Sequence, residues 1–214
     1  MLKHLKQSQT YLAFRQTKNF RFLQRLKDSE RGVYQRVIHY IWHKKKKRIL
    51  DDYRRKFSLK ILIETGTWKG DMIAEFADKR NSFKSIYSIE LSPYFYNKAL
   101  KRFSGYANVF LSYGDSAKLL EGILSKIDEP CLFWLDAHYM KGETSKGNLN
   151  TPIVEELNSI FSHKIKNHII IIDDAKYFNG TGDYPDLDWL REYILQACPK
   201  ASFMVKNGVI RIVL

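Results

Sequence analysis

The sequence is short of cysteine, of long apolar runs and, over its first 27 residues, of any acid. Only two of the 214 residues are cysteines, Cys131 and Cys198. Cys131 opens an apolar run that reads as a buried strand, which argues against a disulfide framework or a four-ligand zinc site and makes a reducing, cytoplasmic setting the simpler expectation. The longest aliphatic run is Ile169 to Ile172, far below the ~20 apolar residues that a membrane-spanning helix needs. No continuous apolar core follows Met1, which argues against a secretory signal. No internal repeat is visible, and the only low-complexity stretch is the lysine run Lys44 to Lys47. Disorder is excluded in turn, because 44% hydrophobic and 14% aromatic residues supply enough apolar surface for a core.

The missing acid has a counterpart in excess base. Residues 1–56 hold 17 Lys/Arg against four acids, Asp28, Glu30, Asp51 and Asp52, a balance of +13 that equals the net charge of the whole chain. Residues 57–214 are therefore neutral, with 19 basic and 19 acidic residues. A basic N-terminal appendage of residues 1–56 and a domain of residues 57–214 is the expected organisation. The appendage suits an anionic membrane surface, a nucleic acid or an acidic partner, and equally a solvated basic face. Its first 27 residues alternate basic with apolar residues, as a transit peptide does, although the pattern runs beyond a typical cleavage point. Tyr34, Val37, Ile38, Ile41 and Trp42 recur at helical spacing, an apolar stripe ahead of the lysine run. Such a stripe packs on a domain, or places the chain at the edge of a membrane.

Beyond Lys60, short apolar runs alternate with helical patterns, as a parallel sheet with crossover helices requires. Strands are expected near 60–64, 84–90, 107–112, 131–135 and 168–173, and helices over 70–80, 93–103, 116–126, 152–162 and 186–197. Thr151-Pro152 reads as a cap and first helical residue, with Glu155 and Glu156 near the positive end of the helix dipole. Asn207-Gly208 between two β-rich runs predicts a terminal hairpin. The fold class is thus α/β: a doubly wound, mostly parallel seven-stranded sheet ending in an antiparallel hairpin.

Three strand ends carry polar signals on one side of that sheet. Glu64-Thr65-Gly66-Thr67-Trp68-Lys69-Gly70 follows the first strand. Gly66 permits a tight turn beside a ligand, and Gly70 lets the next helix approach the sheet and offer its N-terminal amides. A plain strand-to-helix turn fits as well. Glu90 closes the second strand, where a doubly wound fold places an acid for ribose hydroxyls, or simply precedes the Ser92-Pro93 helix start. After the third strand, Asp115 of Gly114-Asp115-Ser116 suits an adenine amino group or an ordinary N-cap.

In order and placement these signals, with Asp136 after the fourth strand, resemble the class I S-adenosylmethionine-dependent methyltransferases over about residues 57–214. The resemblance implies that S-adenosylmethionine is the cofactor. It implies that the turn Glu64, Thr65, Gly66, Thr67 and Gly70 holds the methionine end, Glu90 the ribose, and Asp115 with Ser116 the adenine.

On the acceptor side, one strand delivers Asp136-Ala137-His138-Tyr139 and another Asp173-Asp174, at the edge where open α/β sheets bind ligands. If the two strands are neighbours, ~4.8 Å apart, three acids converge, and a divalent cation such as Mg²⁺ would relieve their repulsion. This part looks like the metal-dependent O-methyltransferases of the catechol and caffeoyl-CoA type. It departs from them in carrying Asp174 where they have Asn, and His138 two residues beyond the acid. Without a metal, His138 suits a general base, or it is structural. Loops 140–150 and 175–185 are candidates for the acceptor pocket and its lid. The reading is methyl transfer to an oxygen of a small molecule or glycan. A nucleic-acid methyltransferase using the basic appendage, and a non-catalytic nucleotide- or partner-binding protein, are its rivals.

Overall fold

The computed structural model describes residues 31–77, 82–137 and 151–214, with side chains from Val37 onward. His138 and the loop 140–150 lie outside the described residues, as does the segment before Arg31. Two compact units divide the chain, Met1–Ile49 and Leu50–Leu214. Helix α1 (Arg31–Lys56) runs across that division, with Arg54, Arg55 and Lys56 in its last turn, where cations meet the negative end of the dipole. In the first unit Tyr40 and Trp42 are exposed. The Lys44 ammonium lies 5.5 Å from the Tyr40 ring centre, and that of Lys45 lies 4.8 Å from that of Trp42.

The second unit carries a seven-stranded sheet: β1 (Ile61–Thr65), β2 (Ser85–Glu90), β3 (Val109–Tyr113), β4 (Cys131–Leu135), β5 (Ile169–Ile172), β6 (Ser202–Lys206) and β7 (Val209–Val213). Its order is β3-β2-β1-β4-β5-β7-β6. The first five strands are parallel and β7 is antiparallel to both β5 and β6. The central strands β1, β4 and β5 are buried at every residue. That is why they read as continuous apolar runs and not as alternating ones. Asn207 and Gly208 both take positive φ, 58° and 74°, the turn that matches strand twist in a two-residue hairpin.

Between the strands lie α2 (Asp71–Ala74), α3 (Pro93–Phe103), α4 (Ser116–Leu124), α5 (Ile153–Ser162) and α6 (Leu187–Ala197). Side chains of Ser92, Asp115 and Asp186 cap α3, α4 and α6. Two expectations fail. The helix over 70–80 is a single turn, because Phe76 and Ala77 turn into the core, where Phe76 meets Phe83 edge-on at 5.2 Å. Helix α5 begins one residue late: Pro152 occupies the cap position and no side chain caps it.

Candidate active site

At the end of β1, Gly66 has φ +87°. A Cβ there would sit 2.6 Å from the carbonyl oxygen of Asp136, so the glycine is required by the close approach of β1's end to β4's end, independent of any ligand. Gly70 corrects the expectation in another way. Its φ is +74°, and the space of a Cβ is held by Phe103 of α3 at 2.6 Å, not by the sheet. With only four residues in α2, the amide array expected from a long helix is not built.

The acids of this edge are held tightly. Glu90 Oε2 accepts the Trp68 amide and Oε1 accepts the Ser92 amide, each at 2.7 Å. The Leu91 and Thr67 amides also lie against the carboxylate, so it is fixed in place by the backbone around the Gly66 turn. Burial raises its pKa, and those amides pull it back. Glu64 is buried and accepts from Ser88 Oγ at 2.6 Å, and Thr67 Oγ1 lies 2.5 Å from the same hydroxyl. Burial pushes the Glu64 carboxyl up to about 8, so it is mainly protonated at neutral pH until a cationic group arrives to favour the charged form.

Thr65 is the strand neighbour of Glu64, so its side chain points to the opposite face of the sheet. There it meets Glu156 of α5 and Ser116 of α4, all three buried. Burial pushes the Glu156 carboxyl up to about 7, less than it would without the two hydroxyls. Among the described residues Glu156 Oε1 and Thr65 Oγ1 complete no hydrogen bond. Asp115 is an N-cap, its Oδ1 accepting the Ala117 amide at 3.1 Å, as one of the two sequence readings held.

Strands β4 and β5 are neighbours in register Leu135↔Ile172. The Asp173 amide donates to Leu135 O, and the Asp136 amide to Thr65 O, both at 3.0 Å. Asp136, Asp173 and Asp174 therefore line one pocket together with Thr151, Glu156 and Tyr184. Among the described residues no three His, Cys, Asp or Glu side chains gather around a common point. Asp174 sits at φ +50° with Oδ1 on Lys176 Nζ at 3.0 Å, and Asp173 Oδ1 accepts the Asp174 amide at 2.7 Å. Burial first, and then the charge of Asp174, keep the Tyr184 phenol protonated.

Two groups of site and core residues escape a reading by strand ends. Glu156 reads as a helix-dipole acid, yet Ile153, Glu156, Leu157 and Ile160 follow the i, i+3, i+4, i+7 rule and all are buried. An acid on that stripe was the available signal. His163 and His168 form a buried pair at the far end of β4 and β5, 2.9 Å apart through Nδ1 and Nε2.

No family model and no curated protein matches the sequence. Solved structures do. The Podospora anserina methyltransferase PaMTH1, bound to S-adenosylhomocysteine, is 18% identical over 83% of this chain and 86% of its own, with a TM-score of 0.56. A Staphylococcus aureus protein provisionally assigned as a caffeoyl-CoA O-methyltransferase is 13% identical over 92% of this chain and 99% of its own, with a TM-score of 0.57. The Streptomyces achromogenes O-methyltransferase TomG, in complex with S-adenosylmethionine, is 15% identical over 79% of each chain, with a TM-score of 0.54. Together with the strand order and the closing antiparallel hairpin, these likenesses show that the unit Leu50–Leu214 has the Rossmann-like class I methyltransferase fold.

Proposed function

We propose that the chain is an S-adenosylmethionine-dependent methyltransferase that methylates an oxygen of a small molecule or glycan. The observation that carries this reading is Glu90: a buried carboxylate at the end of β2, fixed by backbone amides beside the Gly66 turn. A carboxylate fixed there suits the hydroxyls of a ribose. Glu64 adds a second support, because a buried carboxyl that ionises only beside a cation suits a ligand with ammonium and sulfonium groups. When bound, the cofactor supplies a methyl group already activated on sulfur. The chain's own part is then orientation of the acceptor and removal of its proton. For the second task we assign His138, two residues beyond Asp136, which needs only a near-neutral pKa and hydrogen-bond reach. Residues 1–56 serve docking to an anionic surface and not chemistry, since every group proposed for the reaction lies beyond residue 63.

Calorimetry of the full chain tests this directly. S-adenosylmethionine and S-adenosylhomocysteine should both bind, with the same affinity in Mg²⁺ and in excess chelator. Failure of both to bind would overturn the reading, and binding that requires Mg²⁺ would overturn its metal-free form.

A further inference from the structure

Between Glu90 and Asp115 the chain carries no acid: the 24 residues from Leu91 to Gly114 hold Lys98, Lys101 and Arg102 together with seven aromatic rings. Helix α3 sorts these side chains. Ala99 and Phe103 face the core and Phe95 is half-buried, which leaves Tyr94, Asn97, Lys98 and Lys101, at i, i+3, i+4 and i+7, exposed on the outward face. Tyr94 is 60% exposed. Of the ten large apolar side chains exposed among the described residues, five lie in this stretch. Four of them belong to one patch: Tyr94 and Leu100 are on α3, Tyr106 meets Phe103 at 5.8 Å, and Tyr113 meets Tyr96 at 5.5 Å.

Cations are interleaved with the rings. The Lys98 ammonium lies 4.4 Å from the Tyr94 ring centre, and that of exposed Lys69, in the turn after β1, lies 4.0 Å from that of Trp68. Trp68 in turn lies 6.3 Å from Phe95, so the turn and the helix share one surface. Asp71 borders it and is paired with Arg102 at 2.8 Å. An exposed patch of aromatic side chains marks a contact with a partner, and the charge of this one calls for an anion. A bilayer takes in apolar side chains, whereas this face offers tyrosine rings and, from α3, one aliphatic side chain, Leu100. Nucleic-acid phosphates are met best by guanidinium forks, and the fork here, Arg102, is engaged with Asp71 and the Lys69 carbonyl. Ammonium point charges beside tyrosine rings suit acidic sugars. The C–H face of a pyranose packs on a ring while its carboxylate meets the ammonium, and the phenol hydroxyls and Asn97 pair with sugar hydroxyls.

The face adjoins the ligand edge of the sheet. Tyr113 ends β3 opposite Glu90, and the end of β3 is three strand spacings, about 14 Å, from the end of β4, where Asp136 stands. A short oligosaccharide covers that span. Resting on the methyltransferase reading, we propose that the acceptor is an acidic glycan, and that the outward face of α3, with Lys69, docks its charged chain while the sugar to be methylated lies over the ends of β1 and β4.

The test uses the full chain with its leucine methyl groups labelled for NMR, the exposed Leu100 reporting on this face separately from the basic residues 1–56. The probes are oligogalacturonate for an acidic glycan, dextran of similar length for a neutral one, poly(U) for a nucleic acid, and vesicles containing phosphatidylserine for a bilayer. Oligogalacturonate should shift Leu100 with an affinity that falls as salt rises, and dextran should bind at least about tenfold more weakly. Replacing Lys98→Gln and Lys101→Gln together should weaken the glycan about tenfold, and Tyr94→Ala about fivefold, while Lys118→Gln on α4 stays within about twofold. All four side chains are exposed, so each variant should keep the native melting temperature. No shift of Leu100, equal binding of dextran, tighter binding of poly(U) or vesicles at Leu100, or unchanged affinity in the double variant overturns the proposal. S-adenosylhomocysteine binding, measured alongside and unaltered in these variants, keeps the two readings apart. Glycan docking without cofactor binding sinks the methyltransferase, and cofactor binding without docking sinks only the acidic-glycan acceptor.

Discussion

Strands β4 and β5 have a buried polar cluster at each end, and the two clusters are finished differently. At their starts, the Cys131 amide donates to His168 Nδ1 at 3.0 Å. His168 Nε2–H then donates to His163 Nδ1 at 2.9 Å, and His163 Nε2–H to the Ile127 carbonyl at 3.0 Å. One tautomer of each ring satisfies the whole chain. At their ends, Glu156 is as deeply buried, held against the hydroxyls of Thr65 and Ser116 beside a pocket that Asp136, Asp173 and Asp174 also line. The difference separates a closed chain of internal partners, which serves the fold, from a cluster that borders a pocket.

The edge of β1 and β2 stands between these cases, with its acids anchored by backbone amides and a hydroxyl beside the Gly66 turn. The largest effect is expected where that edge touches the other. Gly66→Ala adds a Cβ 2.6 Å from the Asp136 carbonyl at a φ of +87°. It should cost about 2–4 kcal/mol in a denaturant titration and abolish S-adenosylhomocysteine binding. A variant of native stability would show that the two edges are not locked together at this point.

The closed cluster makes its own prediction through pH. Burial and the neighbouring His163 hold His168 down to about 4, against 6.5 in an unfolded chain. A proton on Nδ1 would also face the Cys131 N–H and lose that bond. Between pH 6.5 and 4 the unfolded chain binds the extra proton, so the contribution of His168 to stability falls as pH falls, by about 3 kcal/mol across that window. Glu64 and Glu156 act with the opposite sign. Their pKa values are raised to about 8 and about 7, so the stability they contribute is complete below 4.5 and lost as pH rises through those values. Between pH 4.5 and 6.5 the two raised carboxyls outweigh the one lowered imidazole, so denaturant melts from pH 4.5 to 8 should show stability falling as pH rises. His168→Phe should steepen the fall between 4.5 and 6.5, and an unchanged slope there would refute the assignment.

A smaller effect is expected at Glu90. Its removal leaves the Trp68 and Ser92 amides without their acceptor, so Glu90→Ala should lower S-adenosylhomocysteine affinity about ten- to hundredfold, or ~1.5–3 kcal/mol, and lower the melting temperature as well. Unchanged affinity by calorimetry would remove Glu90 from the cofactor site.

Much of this was written locally. Each buried strand announced itself as an apolar run because both its faces are covered, and the left-handed hairpin followed from Asn207-Gly208. The caps at Ser92 and Asp186, and the acid at the end of β2, depend on residue type and nearest sequence neighbours, which a linear reading resolves. Helix α2 was overestimated because its pattern does not reveal that Phe76 is wanted by the core. Adjacency of β4 and β5, which brings Asp136, Asp173 and Asp174 to one edge, is topological and was inferred, but the backbone of Asp174 and its pair with Lys176 are local geometry that spacing does not encode.

The sequence by itself determined the order of elements, the seven strands and the asymmetric placement of charge, because these rest on periodicity, turn chemistry and composition. Only the tertiary structure decided that Gly70 makes room for Phe103, that His163 and His168 share one proton network with the Cys131 amide, and that Glu156 turns inward onto Thr65 and Ser116. Those outcomes depend on contacts between residues tens of positions apart, where what matters is which atoms meet at 3 Å, and no residue's type or spacing specifies its distant neighbour.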